Sequence, residues 1–141
     1  MRGIFALLAV AIGSTIIAQT SRTTWDGIYT EDQAKRGAAL YSENCAPCHG
    51  TDLTGGESAP PLAGIPFFAN WEGLTVGDLF ERIRTSMPAD RPGRLSRDQN
   101  ADIVAQILKV NGFPAGTTEL ARQTEALRQI QLVMYRPEKQ K

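Results

Sequence analysis

The sequence predicts an all-α domain. Three segments carry apolar residues at helical spacing, each opens on a Thr or Ser able to cap a helix, and no stretch alternates as a half-buried strand does. A length of 141 residues suits one domain plus a leader, and no internal repeat is evident. With 42% hydrophobic and 21% charged residues the chain reads as globular. Fifteen basic and fifteen acidic residues leave no net charge, which argues against nucleic acid as a partner.

Residues 1–18 read as a signal peptide. Arg2 supplies the positive start, Gly3 to Ile17 is apolar but for Ser14 and Thr15, and Ala18 offers a small residue for cleavage. The run falls short of the ~20 residues of a membrane span. Ile16 stands where a smaller residue is usual, so an uncleaved anchor is the alternative, and only then does the chain meet a membrane. No cysteine follows the leader to take a lipid. Export implies an oxidising compartment, periplasmic or otherwise extracytoplasmic.

Residues 19–29 form an extended lead-in. Thr30, with Gln33 as reciprocal capping partner, opens a helix that runs to about Glu43. Gly37 inside it costs roughly 1 kcal/mol against Ala, which makes sense where another backbone packs closely. Residues 50–73 are rich in Gly, Pro and small polar residues, with Pro60, Pro61 and Pro66 fixing an irregular course. So long a loop is expected where it wraps around something. Thr75 and Asp78 open a second helix to about Ser86, which Pro88 prevents from continuing. Ser96 and Gln99 form a capping box for a third, running to about Val110 and stopped at Asn111-Gly112. Residues 117–135 read as a further amphipathic helix with Leu120, Leu127, Ile130 and Met134 on one face, laid over the domain or docking a partner. Residues 136–141 are a charged tail.

The chemistry sits in Cys45-Ala46-Pro47-Cys48-His49. In a Cys-x-x-Cys-His run the two thiols add across the two vinyl groups of a haem, and the adjacent histidine binds the iron. A thioredoxin-like dithiol needs a strand before the motif, and here a helix precedes it. A zinc site needs a fourth ligand, yet the chain has no other Cys or His. A disulfide closing so short a loop gains little. The cofactor expected is therefore one covalent haem c with its iron. His49 is the only histidine, so the sixth iron position falls to Met, Lys, the amino terminus, water or nothing. Methionine suits an electron-transfer haem. Met87 stands in a polar, stiff loop where a core residue is unexpected, whereas Met134 fits the apolar stripe, so Met87 is the preferred ligand.

These residues, with Pro60-Pro61-Leu62-Ala63-Gly64 and Met87-Pro88, resemble a class I, single-haem cytochrome c over about residues 32–116. The stretch from Met87 to Pro114 is similar to bacterial cytochromes associated with quinoprotein-type dehydrogenases. The resemblance implies a cytochrome c-like orthogonal helix bundle wrapped around one haem at residues 30–116, to which this chain adds the C-terminal helix and charged tail of residues 117–141. It implies that the Pro60 carbonyl accepts from the second nitrogen of His49, fixing its tautomer, and places Leu62 beside the cofactor. It also implies that the first and last core helices cross at Gly37 and Tyr41 against Ile103 and Ile107. Gln106 departs from the family, where an aromatic is often found. Trp71 either donates its indole N–H to a haem propionate or packs in the core. Arg82, Arg84, Arg91, Arg94 and Arg97 crowd around Met87. They neutralise propionates, form a basic collar that steers an acidic partner, or present a solvated charged face.

The function expected is one-electron transfer. No catalytic constellation is visible, since the single histidine is spent on iron, so the chain reads as a carrier and not an enzyme. Its partners are redox proteins: an upstream dehydrogenase or cytochrome and a downstream oxidase. Two rivals stand beside this: a dedicated electron-accepting subunit of a dehydrogenase complex, and an open-coordinate haem that binds gas or turns over peroxide.

Overall fold

The structure, a computed structural model, describes residues 22–138. The leader expected at residues 1–18 and the last three residues of the charged tail lie outside the described residues. Strand β1 (Arg22–Thr23) precedes helix α1 (Glu31–Asn44), and the single turn α2 (Ala46–His49) follows. Helices α3 (Gly64–Trp71), α4 (Val76–Ser86) and α5 (Arg97–Val110) come next, then the turn α6 (Thr124–Leu127) and strand β2 (Ile130–Gln131).

The three capped helices begin where their Thr and Ser stand. Thr30 Oγ1 accepts from Gln33 N at 3.2 Å. Thr75 with Asp78, and Ser96 with Gln99, each form a complete capping box. Gln33 does not reach back to its own cap. It is buried, and its amide instead pairs with the Leu120 main chain, accepting from N at 2.6 Å and donating to O at 3.1 Å.

Helix α1 crosses α5 at Gly37. A Cβ there would fall 1.8 Å from the Asp102 carbonyl oxygen, so the two backbones touch. Gln106 lies at this crossing, its Cβ 3.1 Å from the same point, where the resembled family often has an aromatic. Ala34, Tyr41, Ile103 and Ile107 are buried around it. The Arg36 guanidinium closes the crossing from outside, donating two hydrogen bonds of 3.0 Å to Asp102.

Two further expectations need correction. The stretch 50–73 is not loop throughout: it holds α3, whose Phe67 and Phe68 are buried. Pro66 falls in the first turn of α3, where a proline removes no helical hydrogen bond, so its presence does not forbid the helix. The extra C-terminal helix is much shorter than its periodicity suggests, only the turn Thr124–Leu127. Leu120, Leu127 and Ile130 are buried as expected, together with Leu132, but as anchors of a belt. The belt's main chain bonds to other elements. Leu132 N donates to Leu74 O at 2.9 Å and Gly73 N to Leu132 O at 3.1 Å. Thr24 N donates to Gln131 O at 3.0 Å, and the Trp25 indole N–H donates to Val133 O at 3.0 Å. Strands β1 and β2 thereby pair in parallel, Arg22 opposite Ile130 and Thr23 opposite Gln131.

Candidate functional site

Helix α1 delivers the cysteine pair. Cys45 N donates to Tyr41 O at 2.8 Å as the helix closes, and the chain turns at once into α2. Cys48 N and His49 N both donate to Cys45 O, at 3.1 and 2.9 Å. Cys48 and His49 thus follow Cys45 within a single turn, which keeps both thiols and the imidazole close together in the chain. Gly50, at φ +80°, ends the turn, and Tyr41 Oη donates to its carbonyl at 2.8 Å. The thiols are free and not joined in a disulfide; Cys45 is half-buried and Cys48 exposed. Burial pushes the Cys45 thiol up to about 11, against a smaller pull from the Arg94 charge.

His49 is 8% exposed, and its Nδ1 lies 2.8 Å from Pro60 O. A carbonyl only accepts, so Nδ1 carries the proton and Nε2 keeps its lone pair for a metal. The loop that brings Pro60 there is folded back on itself. Gly55 N donates to His49 O at 2.8 Å, and Leu62 N to Leu53 O at 2.8 Å. A Cβ on Gly55 would lie 2.7 Å from Pro61 N, at a positive φ of 82°, so only glycine lets the two limbs approach. Asn111 holds the far end. Its Nδ2 donates to Leu62 O at 2.9 Å, and its Oδ1 accepts from Gly64 N at 3.0 Å. In the sequence Asn111 reads only as a helix stop and Gly55 as one loop glycine among several; an Asn at a helix end, whose amide can both donate and accept, is the available signal.

Met87 is half-buried at the C-terminus of α4, its N–H donating to Ile83 O at 2.9 Å. The loop after it turns back toward the cysteines, and Arg94 donates to Asn44 Oδ1, the residue before Cys45. Asn100, fully buried on α5, secures the loop's end by donating to Leu95 O at 3.1 Å and Ser96 O at 2.8 Å. Its Oδ1 is buried without a partner among the described residues. Trp71 is half-buried and stacks on Phe67 with centroids 6.3 Å apart. The arginines divide. Arg84 is held by Glu81, and Arg97 lies over the Phe80 ring at 5.8 Å. Arg91 makes a 3.5 Å contact with Asp90 on the exposed side of the loop.

The donor set fits a covalent haem: two thiols on one turn, an imidazole with a fixed tautomer, and a thioether on a loop tied to the same helix end. Among the described residues no cluster of three or more His, Cys, Asp or Glu offers a second metal site. No described helix is long and apolar enough to cross a membrane. A polar cleft of about 480 Å³ between α1, α5 and the belt is lined by Arg36, Asp98, Asp102, Glu119 and Arg122, which pair with one another.

A family model described as cytochrome c oxidase, cbb3-type, subunit III matches residues 32–107. The cbb3-type cytochrome c oxidase subunit CcoP of Azospirillum brasilense is 31% identical over 91 residues, covering 53% of this chain and 30% of that protein. The subunit of the same name from Azospirillum sp. (strain B510) is 28% identical over 102 residues, covering 61% of this chain and 33% of that protein. The chain thus spans about a third of the length of these curated relatives. Among solved structures, the sulfane dehydrogenase SoxCD from Paracoccus pantotrophus matches with a TM-score of 0.54 at 26% identity, covering 92% of this chain and 68% of that one.

Proposed function

The chain belongs to the cytochrome c family represented by subunit III of cbb3-type cytochrome c oxidase, and from that premise we propose that it is an extracytoplasmic one-electron carrier with one haem attached through Cys45 and Cys48 and held axially by His49 and Met87. The hydrogen bond of 2.8 Å between His49 Nδ1 and Pro60 O carries the reading, because it leaves Nε2 as the free donor on the turn that bears both cysteines. A haem bound there supplies reversible one-electron chemistry at its iron. The protein's own residues do the rest. Pro60 O orients His49 and fixes its tautomer. Met87 offers a soft sixth ligand, which favours the reduced state and closes the iron to external ligands. Leu62 and Trp71 add apolar wall, and that wall lowers the local dielectric. Arg91 and Arg94, on the exposed limb of the Met87 loop, present cationic charge to a redox partner.

The test is spectroscopic. The ferric protein is expected to show the weak long-wavelength sulfur-to-iron band, and the ferrous protein to exclude carbon monoxide. Met87→Ala abolishes the band and admits carbon monoxide. Loss of neither property in that variant overturns the axial assignment, and rapid carbon monoxide binding by the unaltered protein favours an open-coordinate haem.

A second reading, as the dedicated electron acceptor of a dehydrogenase, draws support from the likeness to the sulfane dehydrogenase structure. That likeness covers 92% of the chain and so reaches beyond the family segment 32–107. A quinoprotein-type dehydrogenase is one such donor, on the resemblance of residues 87–114. Stable co-purification of the full-length protein with a dehydrogenase, lost on truncation after Gly116, is the expected signature; a monomeric, freely diffusing protein opposes it.

A further inference from the structure

We propose that Thr124 is a positioning residue for Met87: one buried hydroxyl from the C-terminal belt ties together both flanks of the loop that carries the ligand. The inference rests on the reading of Met87 as an axial ligand and adds what holds that ligand in place. The loop leaves α4 at Met87 and enters α5 after Ser96. Glu81 stands on α4 before the loop, and Arg97 is the first residue of α5 after it. Thr124 is 4% exposed. Its hydroxyl donates to Glu81 Oε1 and accepts from Arg97 Nη1 at 3.3 Å. Both flanks therefore converge on a residue that belongs to neither.

Each arm is itself braced. Arg84 donates to both Glu81 carboxylate oxygens, at 3.0 and 2.8 Å. Arg97 Nη1 also donates to Arg122 O at 3.0 Å, beside Thr124 in the belt. Packing points the same way independently of these bonds. A Cβ on Gly77 of α4 would fall 2.7 Å from Arg128 N, so the belt's main chain lies directly on the helix. Arg128 N donates to Thr124 O at 2.9 Å, which makes the residue pressed on Gly77 part of the same turn as the hydroxyl. The belt thus holds the chain at Leu74, just before α4, and α4 itself at Gly77 and Glu81.

A thioether is a weak ligand, and an external base competes for its place. The apparent affinity of that base scales with the fraction of molecules in which Met87 has left. Opening the neck of the loop raises this fraction. The experiment is a titration of the ferric, haem-loaded full chain with imidazole, followed in the absorption spectrum. Thr124→Val keeps the side-chain shape and removes the hydroxyl. It is expected to bind imidazole about tenfold more tightly than the unaltered protein, the equivalent of one hydrogen bond of about 1.4 kcal/mol. Thr124→Ser is expected to restore the original affinity, which a purely volumetric role would not predict. Arg97→Met, which cuts the second arm from the exposed side, is expected to tighten imidazole binding several-fold and serves where Thr124→Val yields no folded holoprotein. Met87→Ala sets the ceiling. Wild-type affinity in Thr124→Val, or in Arg97→Met where it stands in, with tighter binding in Met87→Ala, overturns the positioning role alone. Equal affinity in Met87→Ala and the unaltered protein overturns the ligand assignment, and this inference with it.

Discussion

Replacing Gly37 with alanine tests the crossing where the backbones of α1 and α5 meet. In an open helix the change stabilises, because glycine costs about 1 kcal/mol relative to alanine. Here the new Cβ would lie 1.8 Å from the Asp102 carbonyl oxygen and 2.5 Å from its carbon. Real Cβ atoms keep at least 3.0 Å from other heavy atoms, so the crossing must open by at least 1.2 Å, the difference between those distances. Both obstructing atoms are main chain in the middle of α5, and neither can rotate away. Overpacking of this kind costs about 1–3 kcal/mol, and a backbone obstruction places the cost at the upper end. After the propensity gain, a net loss of about 2 kcal/mol is expected, or roughly 8 °C in thermal midpoint for a domain of this size. The assay is thermal and denaturant unfolding of the holoprotein, with Ala39→Gly on the exposed face of α1 as the propensity control, expected to lose about 1 kcal/mol. A Gly37→Ala protein as stable as the original, or more so, would refute the claim that α1 and α5 meet backbone to backbone.

Three further outcomes are expected. Arg36→Ala leaves the Asp102 carboxylate, whose side chain is 12% exposed, without its two-pronged partner. Because Arg36 itself is half exposed the loss is about 1–2 kcal/mol in urea unfolding, and an Arg36→Met, Asp102→Leu double variant recovers most of it. Ser96→Ala removes the cap of α5 and costs about 1 kcal/mol in the same measurement, while Ser96→Gly costs only a few tenths. The Arg84 guanidinium, and after it the Thr124 hydroxyl, hold Glu81 down from 4.5 to about 2. A depressed carboxyl stabilises the fold while ionised. Its contribution is present above 4.5 and is lost as the pH falls from there toward about 2. Denaturation midpoints measured across that window are expected to fall less steeply in Glu81→Gln.

The sequence was most legible where local chemistry decides structure. Thr30, Thr75 and Ser96 announce α1, α4 and α5, because a capping hydroxyl acts within three residues of itself. Cys45, Cys48 and His49 lie on one turn because their spacing matches a single helical turn. The reading failed where distant partners decide. Pro66 made residues 64–71 look like loop, although a proline in a first turn is compatible with helix, and burial of Phe67 and Phe68 supplies the reason to fold there. Leu120, Leu127 and Ile130 follow a helical period, yet Gln33, Leu74 and Thr24 capture the main chain around them. Gln33 shows the same competition in a single residue: the sequence suggests a cap, and the belt takes its amide. Gly55, Asn111 and Thr124 act across 6 to 49 residues, beyond any local pattern.

The parallel pairing of β1 with β2 also decides how the domain bears load. In a parallel pair the N-terminal end of one strand and the C-terminal end of the other lie at opposite ends of the ribbon. A pull outward on the polypeptide at Arg22 and at Glu138 therefore runs along the strands, and the Thr24–Gln131 bond and its neighbours resist together instead of opening one after another. An antiparallel clasp at the same place would peel like a zipper. Tethered at both ends, the domain shares that tension between the strand clasp and the Leu132 bonds to Gly73 and Leu74 beside it.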